Sequence, residues 1–198
     1  MSGLKRLVVG ISGASGAVLG IELLKAMREM DGWETHLVVS NGGQRTIAHE
    51  TAFSMEQVAA LADRFHPIED VGALIASGTF KTAGMVVVPC SMKTVAGIST
   101  GYSDNLLLRA ADVMIKERRK LVLVARESPL SLVHLRNLQS VAELGAVILP
   151  PVLTFYNHPA CIEDMSRHIV GKILDVFDLE LPRFRRWGSG PEALEQLG

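Results

Sequence analysis

Short unbroken apolar runs alternate along this chain with segments whose apolar residues recur every three or four positions. The runs predict strands at Lys5–Ile11, Glu34–Val39, Met85–Pro89, Lys120–Ala125 and Ala146–Leu149. Continuous rather than alternating hydrophobicity marks strands buried on both faces, as in a parallel sheet. Helical spacing fills the intervals. Ala17–Met30 carries Val18, Leu19, Leu23, Leu24 and Met27 on one face; Met55–Arg64 carries Val58, Ala59, Leu61 and Ala62. Asn105–Arg118, Leu132–Leu144 and Ile162–Phe177 complete the set. Strand–helix alternation with right-handed crossovers predicts a single-domain α/β fold, a Rossmann-like three-layer αβα sandwich with a parallel sheet.

Two stretches depart from the alternation. Residues 66–84 hold His66-Pro67, Gly72, Gly78 and Gly84, which predict loops and a short helix. From Pro150-Pro151 the chain leaves the sheet, forms a long helix and runs through Pro182-Arg183-Phe184-Arg185-Arg186-Trp187 into a glycine-containing tail. Residues 1–181 are expected to form the domain, and 182–198 an arm packed on a neighbouring subunit.

Composition narrows the class. With 198 residues, 48% hydrophobic and 21% charged, the chain is neither disordered nor long enough to demand several domains. A formal charge of -1 argues against a nucleic-acid binder. Two cysteines suit a reducing cytoplasm, the expected location. The mean hydropathy of +0.26 is high for a soluble protein, yet no apolar run approaches the roughly 20 residues of a membrane span. Something other than lipid is expected to cover that surface.

The strongest local signal is Gly10-Ile11-Ser12-Gly13-Ala14-Ser15-Gly16-Ala17, directly after the first strand. Small residues let backbone approach an anion, and a helix N-terminus offers free N–H groups; a tight strand-to-helix turn is the plainer alternative. Glycines three apart match neither the dinucleotide fingerprint nor a P-loop, so a mononucleotide is the better expectation. The second strand ends at Ser40-Asn41-Gly42-Gly43, the third at Pro89-Cys90-Ser91-Met92-Lys93-Thr94 and the fourth at Arg126-Glu127-Ser128-Pro129. Singly these are turns and helix caps. Jointly, at C-terminal strand ends, they point to one ligand crevice. Lys116-Glu117-Arg118-Arg119-Lys120 reads as a solvated helix end, Cys90 as a small buried hydrophobe, and the histidines show no metal spacing.

These motifs, with Arg109-Ala110-Ala111-Asp112-Val113, Leu121-Val122-Leu123-Val124-Ala125, Gly145-Ala146-Val147-Ile148-Leu149-Pro150 and Phe155-Tyr156, closely resemble the UbiX-type flavin prenyltransferases from Lys5 to Trp187. The resemblance implies a metal-independent enzyme that joins a dimethylallyl group, from dimethylallyl monophosphate, to N5 and C6 of reduced FMN. Prenylated FMN would then pass to a UbiD-type decarboxylase of aromatic or unsaturated acids. Family members assemble as homo-oligomers, commonly homo-dodecamers, which would cover the apolar helix faces. Carried over by residue, Gly13, Ala14, Ser15, Ser40, Ser91, Met92, Lys93, Thr94 and Arg126 would hold FMN. Tyr156, Lys172, Lys116 and Arg126 would grip the dimethylallyl phosphate, and Glu127, Lys116, Tyr156, Ser15 and Glu50 form the implied catalytic set. Cations and a hydroxyl around a departing phosphate stabilise its growing charge, and Glu127 is suited to take the proton leaving C6. A tryptophan that some members carry before the third strand is absent, with Phe80 in the shorter segment.

Two other readings stay open beside it. FMN-dependent cysteine decarboxylases usually show Pro-Ala-Ser-Ala-Asn-Thr where this chain has Pro89-Cys90-Ser91-Met92-Lys93-Thr94, and rely on an early histidine not identifiable here. An FMN-binding subunit of an aromatic acid decarboxylase would not require Lys116, Glu127, Tyr156 and Lys172.

Overall fold

The computed structural model describes residues 3–182 and 184–188. The chain divides into two compact units, Met1–Pro151 and Val152–Gly198, with the division at the Pro150-Pro151 pair. Much of the 182–198 arm lies outside the described residues.

The first unit holds six parallel strands in the order β3-β2-β1-β4-β5-β6. They are β1 (Lys5–Ile11), β2 (Trp33–Val39), β3 (Arg64–His66), β4 (Gly84–Cys90), β5 (Lys120–Ala125) and β6 (Val147–Ile148). Helices α1 (Ala17–Arg28), α2 (Asn41–Glu50) and α3 (Met55–Ala59) belong to the first half of the chain; α4 (Met92–Thr100), α5 (Leu106–Lys116) and α6 (Leu132–Glu143) belong to the second. A 3-10 turn spans Leu74–Ala76. Strand order runs one way from β1 to β3 and the other way from β4 to β6, so right-handed crossovers put the two helix sets on opposite faces. The expected three-layer sandwich is the observed one.

The unbroken apolar runs are buried as their pattern requires. All seven residues of β4 are buried, as are the last five of β1 and β2. Residues such as Val8, Val38, Met85, Val87, Leu121 and Leu123 pack in one cluster with Leu107, Ala110, Val113 and Met114 of α5. Each fully buried side chain of this size contributes about 1.5–3 kcal/mol. α6 differs: only Val141 is buried, while Leu132, Val133 and Leu135 are 61%, 62% and 49% exposed. That uncovered face accounts for part of the positive hydropathy.

Four elements depart from expectation: α2, α3, β3 and α4, the last a helix over Met92–Thr100 where only a turn or cap is read. α2 begins inside Asn41-Gly42-Gly43, where a polar turn is predicted; Ser40 caps it by accepting the Gly43 N–H at 3.0 Å. The helix predicted over Met55–Arg64 stops at Ala59. Asp63 is pulled to β2, accepting the Thr35 N–H at 2.7 Å and its hydroxyl at 2.9 Å. Arg64–His66 then joins the sheet edge as β3. Among the described residues no helix is long and apolar enough to cross a membrane.

Candidate functional site

β2, β1, β4 and β5 are neighbours in the sheet, so the loops leaving their C-terminal ends lie side by side. The seam between β1 and β4 is where strand order reverses, the place such sheets bind ligands. Ser12 stitches that seam. Its hydroxyl donates to the Pro89 carbonyl at 3.0 Å and accepts the Ser91 N–H at 2.8 Å. The Ser12 N–H adds a bond to the Pro89 carbonyl at 3.1 Å. Outward from the seam, the Ser40 N–H donates to the Ile11 carbonyl at 2.9 Å, and the Arg126 N–H to the Cys90 carbonyl at 3.1 Å. A register shift in β4 between Val87 and Cys90 re-aims the chain into Ser91. Ser12 belongs to the glycine motif, but its role required the fold.

The loops meet backbone to backbone. A Cβ on Gly13 would lie 2.9 Å from the Gly42 Cα, so a larger residue would push the two apart. What results is an edge of bare backbone and small side chains (Gly13, Ala14, Ser15, Ser40) flanked by exposed Lys93 and Arg126. Such a surface fits a flat ring bearing a phosphate, the chemistry of FMN.

The first turn of α1 is already occupied. The Glu50 carboxylate accepts the Gly16 N–H at 2.8 Å and the Ala17 N–H at 3.1 Å. Burial on its own would raise the Glu50 pKa. Bonds from Gly16, Ser15 and Ala17, with the nearby Arg126 charge, outweigh it and hold the carboxyl below its ordinary 4.5. Glu50 is therefore ionised at neutral pH. The anion predicted at this helix end is thus a carboxylate of the protein itself. For a ligand phosphate, the opening of α4 offers the Met92 and Lys93 N–H groups, since Thr94 is tied to the Ser91 cap.

Most predicted site residues therefore meet on one edge: Gly13, Ala14, Ser15, Ser40, Glu50, Ser91 through Thr94, Arg126 and Glu127. Glu127 is exposed and accepts the Ser128 N–H at 3.0 Å. Lys116 lies elsewhere. It ends α5 beside Glu117 and Gly78, just before β5 begins, whereas Arg126 follows the end of β5. A six-residue strand separates them by roughly 20 Å. Phe80 shares the Lys116 edge; it packs edge-on against His36 and lies under Arg6, with its carbonyl bonded to Arg119. Cys90 is wholly buried, and burial pushes its thiol far above the ordinary range.

Tyr156 and Lys172 belong to the second unit. Lys172 is exposed on α7 (Ile162–Asp175), and Tyr156 precedes that helix. The Tyr156 ring is held edge-on by Trp187 on one side and His168 on another. His168 was not singled out from the sequence. Its spacing of four from Lys172, which puts both on one helix face, was the available signal.

A flavoprotein family model matches residues 1–178. A probable UbiX-like flavin prenyltransferase from Streptomyces is 54% identical over 184 residues, 93% of this chain and 92% of that protein. The chain belongs to the UbiX-like flavin prenyltransferases of the flavoprotein family. Solved relatives agree. A dodecameric FMN-dependent UbiX-like decarboxylase from Escherichia coli O157:H7 superposes with a TM-score of 0.91 at 53% identity, covering 92% of this chain and 98% of its own. AnUbiX (PadA1), in complex with FMN and dimethylallyl pyrophosphate, also superposes at 0.91, with 52% identity over 92% of this chain and 97% of its own.

Proposed function

We propose that this chain is a metal-independent flavin prenyltransferase that moves the dimethylallyl group of dimethylallyl monophosphate onto N5 and C6 of reduced FMN. The observation that carries the reading is the convergence of Ser15, Glu50 and Arg126 on the stitched loop edge, in a chain of this family. Bound FMN, once reduced, supplies the electron-rich ring that accepts the allyl group.

The protein's residues do the rest. Gly13, Ala14 and Ser15 offer backbone to the ring system, with Ser40 beside them. Ser91 through Thr94, with Lys93 and Arg126, take the FMN phosphate. Tyr156 and Lys172 take the dimethylallyl phosphate, whose charge grows as its C–O bond breaks; a hydroxyl and an ammonium already in place lower that barrier. Glu127, exposed beside Arg126, accepts the proton released from C6. Glu50, ionised and fixed against α1, holds Ser15 and Arg126 in register.

Lys116 fits this scheme only through a second copy, because its own Arg126 is about a strand length away. We therefore read the edge bearing Lys116 and Phe80 as completing the site of a neighbouring protomer in a homo-dodecamer. The exposed α6 face, and Trp187 at 79% exposure, are the surfaces such an assembly would cover. Residues 1–181 form the flavoprotein domain in this reading; of the expected 182–198 arm, residues 183 and 189–198 lie outside the described residues. Two cysteines without a disulfide suit the cytoplasm, where a UbiD-type decarboxylase would receive the product.

Incubating the protein anaerobically with FMN, dithionite and dimethylallyl monophosphate should release a flavin heavier by one five-carbon unit. Bound FMN with no mass gain would refute the reading. Light scattering should give a mass far above the 21.4 kDa chain; a monomer would refute the shared site.

A further inference from the structure

The second unit contains a polar group that nothing above employs. His168 on α7 is only 5% exposed, and its Nδ1 has no hydrogen-bond partner among the described residues. Its Nε2 lies 3.4 Å from the Tyr156 hydroxyl, and the two rings meet edge to face with centroids 5.7 Å apart. Burying an imidazole with one nitrogen unsatisfied is costly, and an apolar side chain would fill the place without that cost.

The surroundings hold the ring in place. A Cβ on Gly171 would fall 2.4 Å from the Phe184 ring; the glycine thus lets Phe184 lie on α7 and press on His168, centroids 5.2 Å apart. Arg186 anchors that segment through two bonds to the Asp175 carboxylate, at 2.8 and 2.6 Å. Arg185 donates to the carbonyl of Asn157, the residue after Tyr156, at 3.1 Å. Trp187 closes on the other side of Tyr156, centroids 5.2 Å apart. The tyrosine ring is thus fixed by the arm, while its hydroxyl is addressed by one nitrogen.

We propose that His168 is the positioning residue for Tyr156, its Nε2–H donating to the phenolic oxygen so that the hydroxyl proton is free to point at the allylic phosphate. This rests on the assignment of Tyr156 to that phosphate. The tautomer follows from the partners. A hydroxyl that must donate to phosphate can only accept from the histidine, so Nε2 carries the hydrogen and Nδ1 is a bare acceptor. Nδ1 without a partner is then a lone pair left over, not a stranded N–H, the less costly of the two. His168 also lines a cavity of about 30 Å³ with Asn157, Asp164 and Arg167, room for one water able to donate to Nδ1. Burial, and then the Lys172 charge, hold His168 below its ordinary pKa of 6.5, which keeps the ring neutral and the tautomer defined.

The test compares H168F, which keeps an aromatic ring but no N–H, with H168Q, whose amide restores a donor. Both are measured in the FMN-loaded protein with dimethylallyl monophosphate. H168F should raise KM for the allyl phosphate about tenfold, the loss of one oriented hydrogen bond. FMN affinity should be unchanged, and H168Q should recover most of the loss. In a Y156F background H168F should add nothing. A wild-type KM in H168F, no recovery in H168Q, or an undiminished effect in Y156F would overturn the proposal. Nitrogen-15 NMR of the ring tests it without turnover. Of the six histidines, the signal lost in H168Q should be an Nε2–H tautomer, and an Nδ1–H tautomer would overturn it. Prenyl transfer absent from the wild type would sink the functional reading and leave this spectrum to decide the hydrogen bond.

Discussion

The two edges of the sheet are built from opposite materials. At the C-terminal edge the loops are joined by backbone groups and one buried serine, with glycine against glycine and few bulky side chains. At the N-terminal edge side chains fill the space. Arg6 pairs with Glu34 at 2.9 Å and covers Phe80, which packs against His36 in the middle of β2, and His36 meets His66 of β3 nitrogen to nitrogen at 2.9 Å. Arg119 there reaches the carbonyls of Gly78 and Phe80. Bare backbone leaves donors and room for a ligand, whereas interlocked side chains fill the space. The difference teaches that this protein separates the edge proposed for binding from its fastening edge.

Three experiments probe that separation. Glu50→Ala strips the anion from α1 and loosens Ser15 and Arg126; turnover should fall about 100-fold, with only a modest fall in the thermal midpoint from the lost helix-end bonds. Unchanged turnover would mean the carboxylate only caps a helix. Arg119→Ala should do the converse, lowering stability by about 2 kcal/mol through its two charged bonds to carbonyls while FMN affinity stays intact. A loss of FMN binding there would show that the edges are not independent. The smallest effect is expected from pH. Burial is the main force holding His36 and His66 below their ordinary 6.5, so the unfolded chain takes up protons that the folded edge refuses. Stability contributed there is complete above pH 6.5 and declines as pH falls below it. Glu50 has the same sign in a lower window: its contribution holds above its unfolded 4.5 and is lost only as pH falls through its depressed folded value. Thermal midpoints measured downward from pH 8 should begin to drop near 6.5, before any acid loss of the Glu50 contacts; a flat curve to pH 5 would contradict this.

Much of the architecture was legible because buried parallel strands need unbroken apolar runs. β1 and β5 fall where that pattern places them, Lys5–Ile11 and Lys120–Ala125. α2 was not legible, since Asn41-Gly42-Gly43 reads as a turn and Ile47 is its single buried apolar side chain. β3 was hidden because Arg64-Phe65-His66 is an exposed edge, recruited by Asp63 rather than by hydrophobicity. For the site, loops at strand ends were readable by position. That Glu50 would reach across to α1, or that Lys116 would sit a strand length from Arg126, depends on the path of the chain and not on local composition. For His168 the spacing of four from Lys172 was the sole signal, and it is too common on helices to mark a site without the fold.

The pairing of β1 with β4, from Leu7 opposite Gly84 to Gly10 opposite Val87, has one more consequence. Residues up to 66 supply β1, β2 and β3, and residues from 84 supply β4, β5 and β6. Ser15 and Ser40 come from the first stretch, Ser91 and Arg126 from the second, so neither half alone would supply the proposed site. A flavin lying across that seam would act as a clasp. Because it would bind only when both halves are joined, its affinity would become cohesion between them, fastening the sheet through its middle.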